Sequence, residues 1–149
     1  MQTAAVRARF ETALAEYEAV CAAYETRDAE SMNAYQSDLH RYASLYRGDC
    51  LFELERFEAA AAVYEQAAFR FREHPSSIHA LVQIVNCYDR LGNQVQADIA
   101  HRTAKHRLQG LPEAAFDDPT VLMNREAWNR WLESRPIELA GVGDGIESD

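Results

Sequence analysis

The histidines and cysteines are the residues of this chain whose types could support metal binding or nucleophilic chemistry. His101 and His106 are five positions apart, so they point to different faces of a helix, whereas a helical zinc site uses an i, i+4 pair. His79, Cys87 and His101 could meet only if two successive helices packed together. We therefore expect packed or surface side chains at these positions, with no metal and no cofactor.

Motifs of the common catalytic classes are not found in the sequence. The chain has no glycine-rich phosphate loop, nucleophile elbow, paired-carboxylate motif or CxxC pair. The adjacent acids Asp117 and Asp118 lie beside loop signals, which is typical of caps and solvated surfaces. Cys21, Cys50 and Cys87 each lie within an apolar helical pattern, which predicts buried free thiols. An enzymatic function is therefore not expected.

Charge and hydropathy limit the class of partner. The 149 residues carry 24 acidic and 15 basic side chains, a net charge of −9, which argues against nucleic acid or an anionic membrane as partner. No run of 18 apolar residues occurs, so we expect no direct membrane insertion. These features predict a cytoplasmic protein; the alternative is an envelope-associated domain whose targeting segment lies upstream. Only Lys105 is lysine, and this arginine-rich composition is typical of a GC-rich, bacterial genome.

The elements that position these residues are predicted to be α-helices, because every strong apolar period is near 3.5 or 3.6 residues. Residues 3–26 and 29–46 carry apolar seams rich in tyrosine and predict an antiparallel hairpin, with Asp28 as the N-cap of its second helix. The seam of residues 3–26 consists of Phe10, Leu14, Tyr17, Cys21 and Tyr24. The seam of residues 29–46 consists of Met32, Tyr35, Leu39, Tyr42 and Tyr46. Two interpretations stay open: an intramolecular core, or a contact in a homo-oligomer.

Residues 41–111 contain two copies of one helical pattern. The first copy has a small residue, Gly48, and a large apolar residue, Leu51, in its first helix. Its second helix carries Ala60, Tyr64 and Ala67, and Pro75 closes it. The second copy follows 37 positions later, from Ala60 to Ala97, with Leu81, Ile84, Val85, Tyr88, Gly92, Ala97, His101 and Ala104. This pattern resembles the tetratricopeptide repeat (TPR), with units at about 41–77 and 78–111. It departs from the family at Glu55, which replaces the turn glycine, and at His101, which replaces an aromatic residue.

The resemblance implies an all-α fold in which antiparallel helical hairpins stack as a short solenoid. Residues 1–134 would form one domain, with a long N-terminal hairpin at 1–40, two TPR-like units at 41–111 and a loop and capping helix at 112–134. The acidic residues 135–149 are predicted to be a disordered tail. Helix boundaries are expected near Glu55-Arg56, at Pro75-Ser76-Ser77, at a capping box of Asn93 and Gln96, at Gly110-Leu111-Pro112 and at an N-cap on Asn124.

The resemblance also implies a non-catalytic adaptor or scaffold function, in which the first helix of each unit lines a groove for a protein or peptide. The family's groove positions correspond here to Tyr42, Leu45, Asp49, Phe52, Glu53, His79, Val82, Asn86, Asp89 and Arg90. Three carboxylates face one arginine in this set, so it lacks the basic clamp that grips a carboxylate tail. We expect an amphipathic or basic ligand, unless the N-terminal hairpin or the tryptophan helix fills the groove.

Two further alternatives concern the ends of the chain. Trp128 and Trp131 share one face of a short helix with Leu132, and this face could cap the stack or dock a partner. The rival functions are a structural oligomerisation domain that uses the tyrosine-rich helices and the C-terminal domain of a larger protein.

Overall fold

Six α-helices form the part of the protein that the computed structural model describes, residues 2–135. They are α1 (Ala4–Tyr24), α2 (Ala34–Glu53), α3 (Phe57–Arg70), α4 (Ser76–Arg90), α5 (Gln94–Gly110) and α6 (Arg125–Ser134), with 3-10 turns at Ala29–Ser31 and Glu113–Asp117. No β-strand occurs within this range, which confirms the all-α prediction. The predicted tail lies outside the described residues except for Arg135.

The helices pack in the order of the chain, with α1 on α2, α2 on α3, α3 on α4, α4 on α5 and α5 on α6. The connections from α2 through α5 are short, residues 54–56, 71–75 and 91–93, so these neighbouring helices run antiparallel. Helix α2 contacts both α1 and α3, and it therefore belongs at once to the N-terminal hairpin and to the first predicted repeat unit. The predicted boundary at residue 40 accordingly falls inside one continuous helix.

The turn between α2 and α3 lies where the repeat pattern predicts it, near Glu55-Arg56. Glu55 has a φ of 60°, in the left-handed region that glycine adopts most readily. The helix therefore ends at Glu53 although no glycine marks the turn.

The N-cap predicted at Asp28 is wrong. Helix α2 begins after Asn33, whose side chain accepts a hydrogen bond from the Gln36 amide at 2.8 Å, while the Gln36 side chain accepts one from the Asn33 amide at 3.1 Å. This capping box satisfies two backbone donors that would otherwise lack partners. Asp28 instead precedes a 3-10 turn and makes no side-chain cap hydrogen bond.

The prediction at Pro75 also needs correction. Helix α3 already ends at Arg70, and α4 begins at Ser76 without a side-chain cap from Pro75. The imidazole of His74 replaces the expected serine cap, because its Nδ1 accepts a hydrogen bond from the Ser76 amide at 3.0 Å. A histidine two residues before a helix is not a usual capping signal, so the sequence did not indicate it.

The later boundaries agree with the sequence. Asn93 accepts a hydrogen bond from the Gln96 amide at 3.2 Å, and Asn124 accepts one from the Ala127 amide at 2.9 Å. Helix α5 ends at Gly110, as the Gly110-Leu111-Pro112 signal predicts.

The core is built from alanines on α3 and branched residues on α4. The buried residues of α3 are Ala60, Ala61, Val63, Tyr64, Ala67 and Ala68, and those of α4 include Ile78, Leu81, Val82, Ile84 and Val85. The short alanine side chains let α2 and α4 approach the α3 backbone closely. Cys21, Cys50 and Cys87 are buried and free, as predicted, and burial raises the pKa of the Cys87 thiol to about 12.

The tyrosine seam of the second helix is only partly buried. Tyr35 is 75% exposed and Tyr46 is 46% exposed, whereas His40, Ala43 and Leu45 are buried. The interpretation of this seam as an intramolecular core is therefore wrong for Tyr35 and Tyr46, because α2 is covered by α1 on one side and by α3 on another; a contact in a homo-oligomer stays a prediction. A single heptad stripe cannot describe two buried faces.

We expect Ala60→Leu to lower the free energy of unfolding by about 1–3 kcal/mol, because added carbons at a closely packed helix contact force the helices apart. Ala60 is fully buried. Urea denaturation measures the change. Ala62→Leu, at an exposed position of the same helix, is the matched control and should have little effect. Equal stability of the two variants would contradict the packing of α3.

Candidate functional site

An apolar cleft of about 220 Å³ opens between α2, the start of α4 and the loop that leads into α6. Four of the predicted groove residues line it, namely Tyr42, Leu45, Asp49 and His79. We call this region the apolar cleft. Its remaining lining residues are Arg41, Tyr46, His74, Pro75, Ser76, Thr120, Val121, Leu122, Met123 and Trp128.

One stripe of α2 forms the first wall of the apolar cleft. Tyr42, Leu45, Tyr46 and Asp49 are spaced i, i+3, i+4 and i+7, so the helical repeat places them on one face. The rings of Tyr42 and Tyr46 stack with centroids 6.1 Å apart. Leu45 is buried at the base, whereas Tyr46 remains half open to solvent.

The second wall is the loop between α5 and α6, which the sequence did not indicate as part of a site. Leu122 is 97% exposed, while Met123 packs partly against the core. The apolar run Val121-Leu122-Met123 in this loop is the signal that could have identified it, although exposed apolar residues are common. The loop contributes an apolar side chain that is free to contact a partner.

Hydrogen bonds brace this loop. The Thr120 hydroxyl donates to Asp118 Oδ1 at 2.6 Å, and the Thr120 amide donates to the same oxygen at 2.8 Å. These bonds hold the pKa of the Asp118 carboxyl below its ordinary value, because they favour the charged form. Arg41 of α2 also donates to the Thr120 hydroxyl at 2.9 Å. The loop is thereby tied to the opposite wall of the cleft.

The two histidines at the cleft are neutral near pH 7. Burial lowers the pKa of His74, and the nearby Arg41 lowers it further, against the opposing effect of Asp118. Burial likewise lowers the pKa of His79, although Asp49 opposes the shift. His74 Nε2 lies 3.2 Å from Asp118 Oδ2 and donates to it, since Nδ1 is the acceptor for a backbone amide. His74 therefore serves as a hydrogen-bonding group, and His79 packs against the Trp128 ring.

Trp128 closes one end of the cleft and also joins the core. It is 7% exposed, and its ring meets that of His79 in a T-shaped contact with centroids 6.5 Å apart. Leu132 is buried beside it, and its carbonyl accepts a hydrogen bond from His101 Nε2 of α5 at 2.7 Å. Trp131 is only partly buried. Helix α6 thus rests on α5 through the face that carries Trp128 and Leu132.

The other predicted groove residues lie outside the apolar cleft. Phe52 packs edge-on against Phe57 with centroids 5.1 Å apart, and the guanidinium of Arg90 lies over both rings. Glu53 accepts a hydrogen bond from the Gln2 side chain at 3.2 Å. These side chains form a separate polar and aromatic cluster beyond the far end of the α2 stripe.

The remaining three groove residues are engaged within the fold. Asp89 accepts a hydrogen bond from Arg135 Nη2 at 2.7 Å, so the first residue of the predicted tail contacts α4. Asn86 donates to the Gln83 side chain at 2.8 Å, and Val82 is buried. The acidic character expected along the groove is therefore reduced at Asp89 by its ion pair.

The predicted metal-ligand candidates are not brought together as a site in the part of the chain that the structure describes. Within residues 2–135, no group of three or more His, Cys, Asp or Glu side chains is arranged to hold a metal ion. His101 is occupied by its hydrogen bond to Leu132, and Cys87 is buried. Among the described helices, none has the length and apolarity to cross a membrane; the cytoplasmic location stays a prediction.

No protein-family model, curated protein or solved structure matches this chain. The resemblance to the tetratricopeptide repeat therefore stays a prediction from the sequence.

Proposed function

We propose that the protein is a non-catalytic protein-binding module of the TPR type, which holds a segment of another protein in the apolar cleft. The observation that carries this proposal is the cleft itself, where two distant parts of the chain place Tyr46 and Leu122 at its solvent side. Ligand sites are commonly concave and mostly apolar with a few polar groups that orient the ligand. Asp49 would supply such a polar group, whereas Arg41 is occupied by Thr120 and Asp38.

Packing of the helices supports the TPR part of the proposal. The helices contact one another in chain order, as stacked helical hairpins do. Tyr64 of α3 lies against Gly48 of α2, where an added Cβ would come within 2.5–2.8 Å of three ring atoms. The small residue and the aromatic residue of the repeat pattern therefore have a shared physical role.

We propose an amphipathic segment with basic flanks as the ligand. Its apolar side chains would bury against Tyr42, Leu45 and Leu122, which gives affinity through loss of exposed apolar surface. The net charge of −9 favours approach of a basic partner. Asp49, whose Oδ1 accepts a hydrogen bond from the Tyr64 hydroxyl, offers a fixed carboxylate at the cleft.

A photo-crosslinking amino acid at position 122 tests this proposal in the source cells. We expect a specific adduct with one partner, which mass spectrometry would identify together with the contacting segment. The same crosslinker at position 95, an exposed valine on α5, is the control and should not capture that partner. Capture from both positions, or from neither, would contradict the cleft as the binding site.

Once that partner is identified, we expect Leu122→Asp to weaken binding by about tenfold or more, because a charge would replace an apolar contact. A tenfold change in Kd corresponds to about 1.4 kcal/mol. Val95→Asp introduces the same charge on another exposed apolar residue and should leave affinity nearly unchanged. Titration calorimetry measures both. Parent-like affinity of a folded Leu122→Asp variant would remove the cleft from consideration.

The exposed Tyr35 favours the structural oligomerisation domain as a second candidate. Tyr35 lies near the start of α2 and is largely exposed, so it could contribute to a contact between copies. Light scattering at about 100 µM, a concentration that detects weak complexes, separates the two candidates. A monomeric mass would exclude self-association as the main function.

A further inference from the structure

A second cavity, of about 560 Å³, lies between the connection from α1 to α2, helix α2 and the C-terminal end of α3. Helix α2 lines it with His40, Ser44 and Arg47. These residues lie about half a helical turn away from the stripe at Leu45 and Asp49. The two cavities are therefore on opposite faces of α2, and we call this one the cationic cavity.

Arginines dominate the lining of the cationic cavity. Arg27, Arg47, Arg70 and Arg72 line it, against the two carboxylates of Glu25 and Asp28. This local excess of positive charge is opposite in sign to the net charge of the chain, −9. Like charges brought together in a concave site repel one another and attract an anion.

Two buried nitrogen atoms around this cavity have no hydrogen-bond partner, namely His40 Nδ1 and Arg70 Nε. His40 is 1% exposed and lines the cavity. Buried polar atoms almost always have a partner, and each one left without a partner destabilises the fold. A ligand that accepts hydrogen bonds from these two atoms would remove that cost.

Arg70 is oriented without being neutralised. Its guanidinium donates to the backbone carbonyls of Glu25 at 3.3 Å and Arg27 at 2.9 Å. Arg47 is different, because two carboxylates pair with it: its Nη1 lies 3.4 Å from Glu25 Oε1, and its Nε lies 3.8 Å from Glu18 Oε1. One guanidinium is thus fixed by neutral groups and keeps its full charge for a ligand, which preorganises the site.

The imidazole of His40 is held by aromatic contacts. Its centroid lies 6.0 Å from the Tyr24 ring and 5.4 Å from the Phe71 ring. Burial lowers the pKa of His40, and Arg70 lowers it further. The neutral ring has one N–H that can donate to an anion.

We infer that the cationic cavity binds an oxyanion, a phosphoryl or carboxylate group of a small molecule, through Arg70 and His40. The guanidinium fork of arginine matches the oxygens of both groups. Arg27 and Arg72 add positive charge around the same cavity. This site is independent of the proposed protein-binding function, since it lies on the other face of α2.

Calorimetric titration of the full chain with inorganic phosphate and, separately, with succinate at constant ionic strength tests the inference. We expect saturable binding with one site per chain, with a Kd of about 1 mM or tighter. Binding of phosphate alone identifies a phosphoryl site, and binding of succinate alone identifies a carboxylate site. Absence of binding for both at about 10 mM, well above a millimolar Kd, would overturn the inference.

A charge-matched pair of variants locates the binding. Arg70→Gln should weaken anion binding by about tenfold or more, because it removes a charge-assisted donor. Arg130→Gln removes one positive charge at an exposed position of α6 and should leave the affinity unchanged. An equal loss in both variants would mean that general surface charge accounts for the binding.

A measurement on the parent protein covers the case in which Arg70→Gln does not fold. In nitrogen-15 spectra of the histidine side chains, saturation with the bound anion should shift the imidazole signals of His40. The exposed His106 should show no comparable shift. Saturable binding that leaves the His40 signals in place would locate the anion elsewhere and overturn the inference.

Discussion

Trp128→Ala is expected to lower the free energy of unfolding by about 3–5 kcal/mol, the range for a large aromatic side chain removed from a core. Trp128 is buried, contacts the His79 ring of α4 and lies on the face by which α6 covers the end of the helical stack. Its loss would leave a cavity between α4 and α6 that the neighbouring side chains fill only in part. Urea denaturation followed by far-ultraviolet circular dichroism measures the change.

Trp131→Ala provides the control for this prediction. Trp131 lies on the same short helix but is only partly buried, so its truncation should destabilise the protein clearly less than that of Trp128. A Trp128→Ala variant with parent-like stability and no partner binding would contradict the covering role. It would indicate that Trp128 belongs to the docking surface instead.

Gly48→Ala is expected to destabilise the protein by about 3 kcal/mol, at the upper end of the range for overpacking a core. The added Cβ would lie 2.5–2.8 Å from three atoms of the Tyr64 ring. That ring is fully buried, and its hydroxyl donates to Asp49 on the adjacent position of α2. Neither the ring nor the helix backbone can move without breaking this arrangement.

Gly110→Ala is the matched control for the same substitution. A Cβ at Gly110 meets no atom within 4 Å, and α5 ends at this residue. Alanine has the higher helix propensity, so the control should be neutral or slightly stabilising. Thermal unfolding of the two variants side by side decides the prediction, and equal midpoints would mean that α2 and α3 do not approach closely at Gly48.

Asp49 connects this packing to the apolar cleft. Its carboxylate accepts the hydrogen bond from Tyr64 and also lines the cleft. Burial raises the pKa of the Tyr64 phenol, and the adjacent carboxylate raises it further, so Tyr64 stays a hydrogen-bond donor. The core thereby fixes the position of a charged group at the proposed binding site.

Sequence alone determined which segments are helices and, for α3, which face packs most closely. Apolar spacing near 3.6 residues is a local property of the chain, so it predicts a helix without knowledge of its neighbours. A close helix contact was likewise indicated by the small residues Gly48, Ala60 and Ala67 around Tyr64, because large side chains at those positions would hold the helix backbones apart. The caps at Asn93 and Asn124 were predictable because their partners lie three residues away.

Only the tertiary structure decided which side chains form a site. Leu122 joins Tyr42 and Leu45 across about 80 positions of sequence, and no periodic pattern relates a loop to a distant helix. The same holds for Arg27, Arg47 and Arg70, which three separate segments bring to one cavity. Helical periodicity states which residues share a face, but it does not state what covers that face. The covering of each face of α2 depends on how α1, α3 and the loop before α6 pack on this helix. For this reason the predicted groove divides into the apolar cleft and a separate cluster at Phe52 and Arg90.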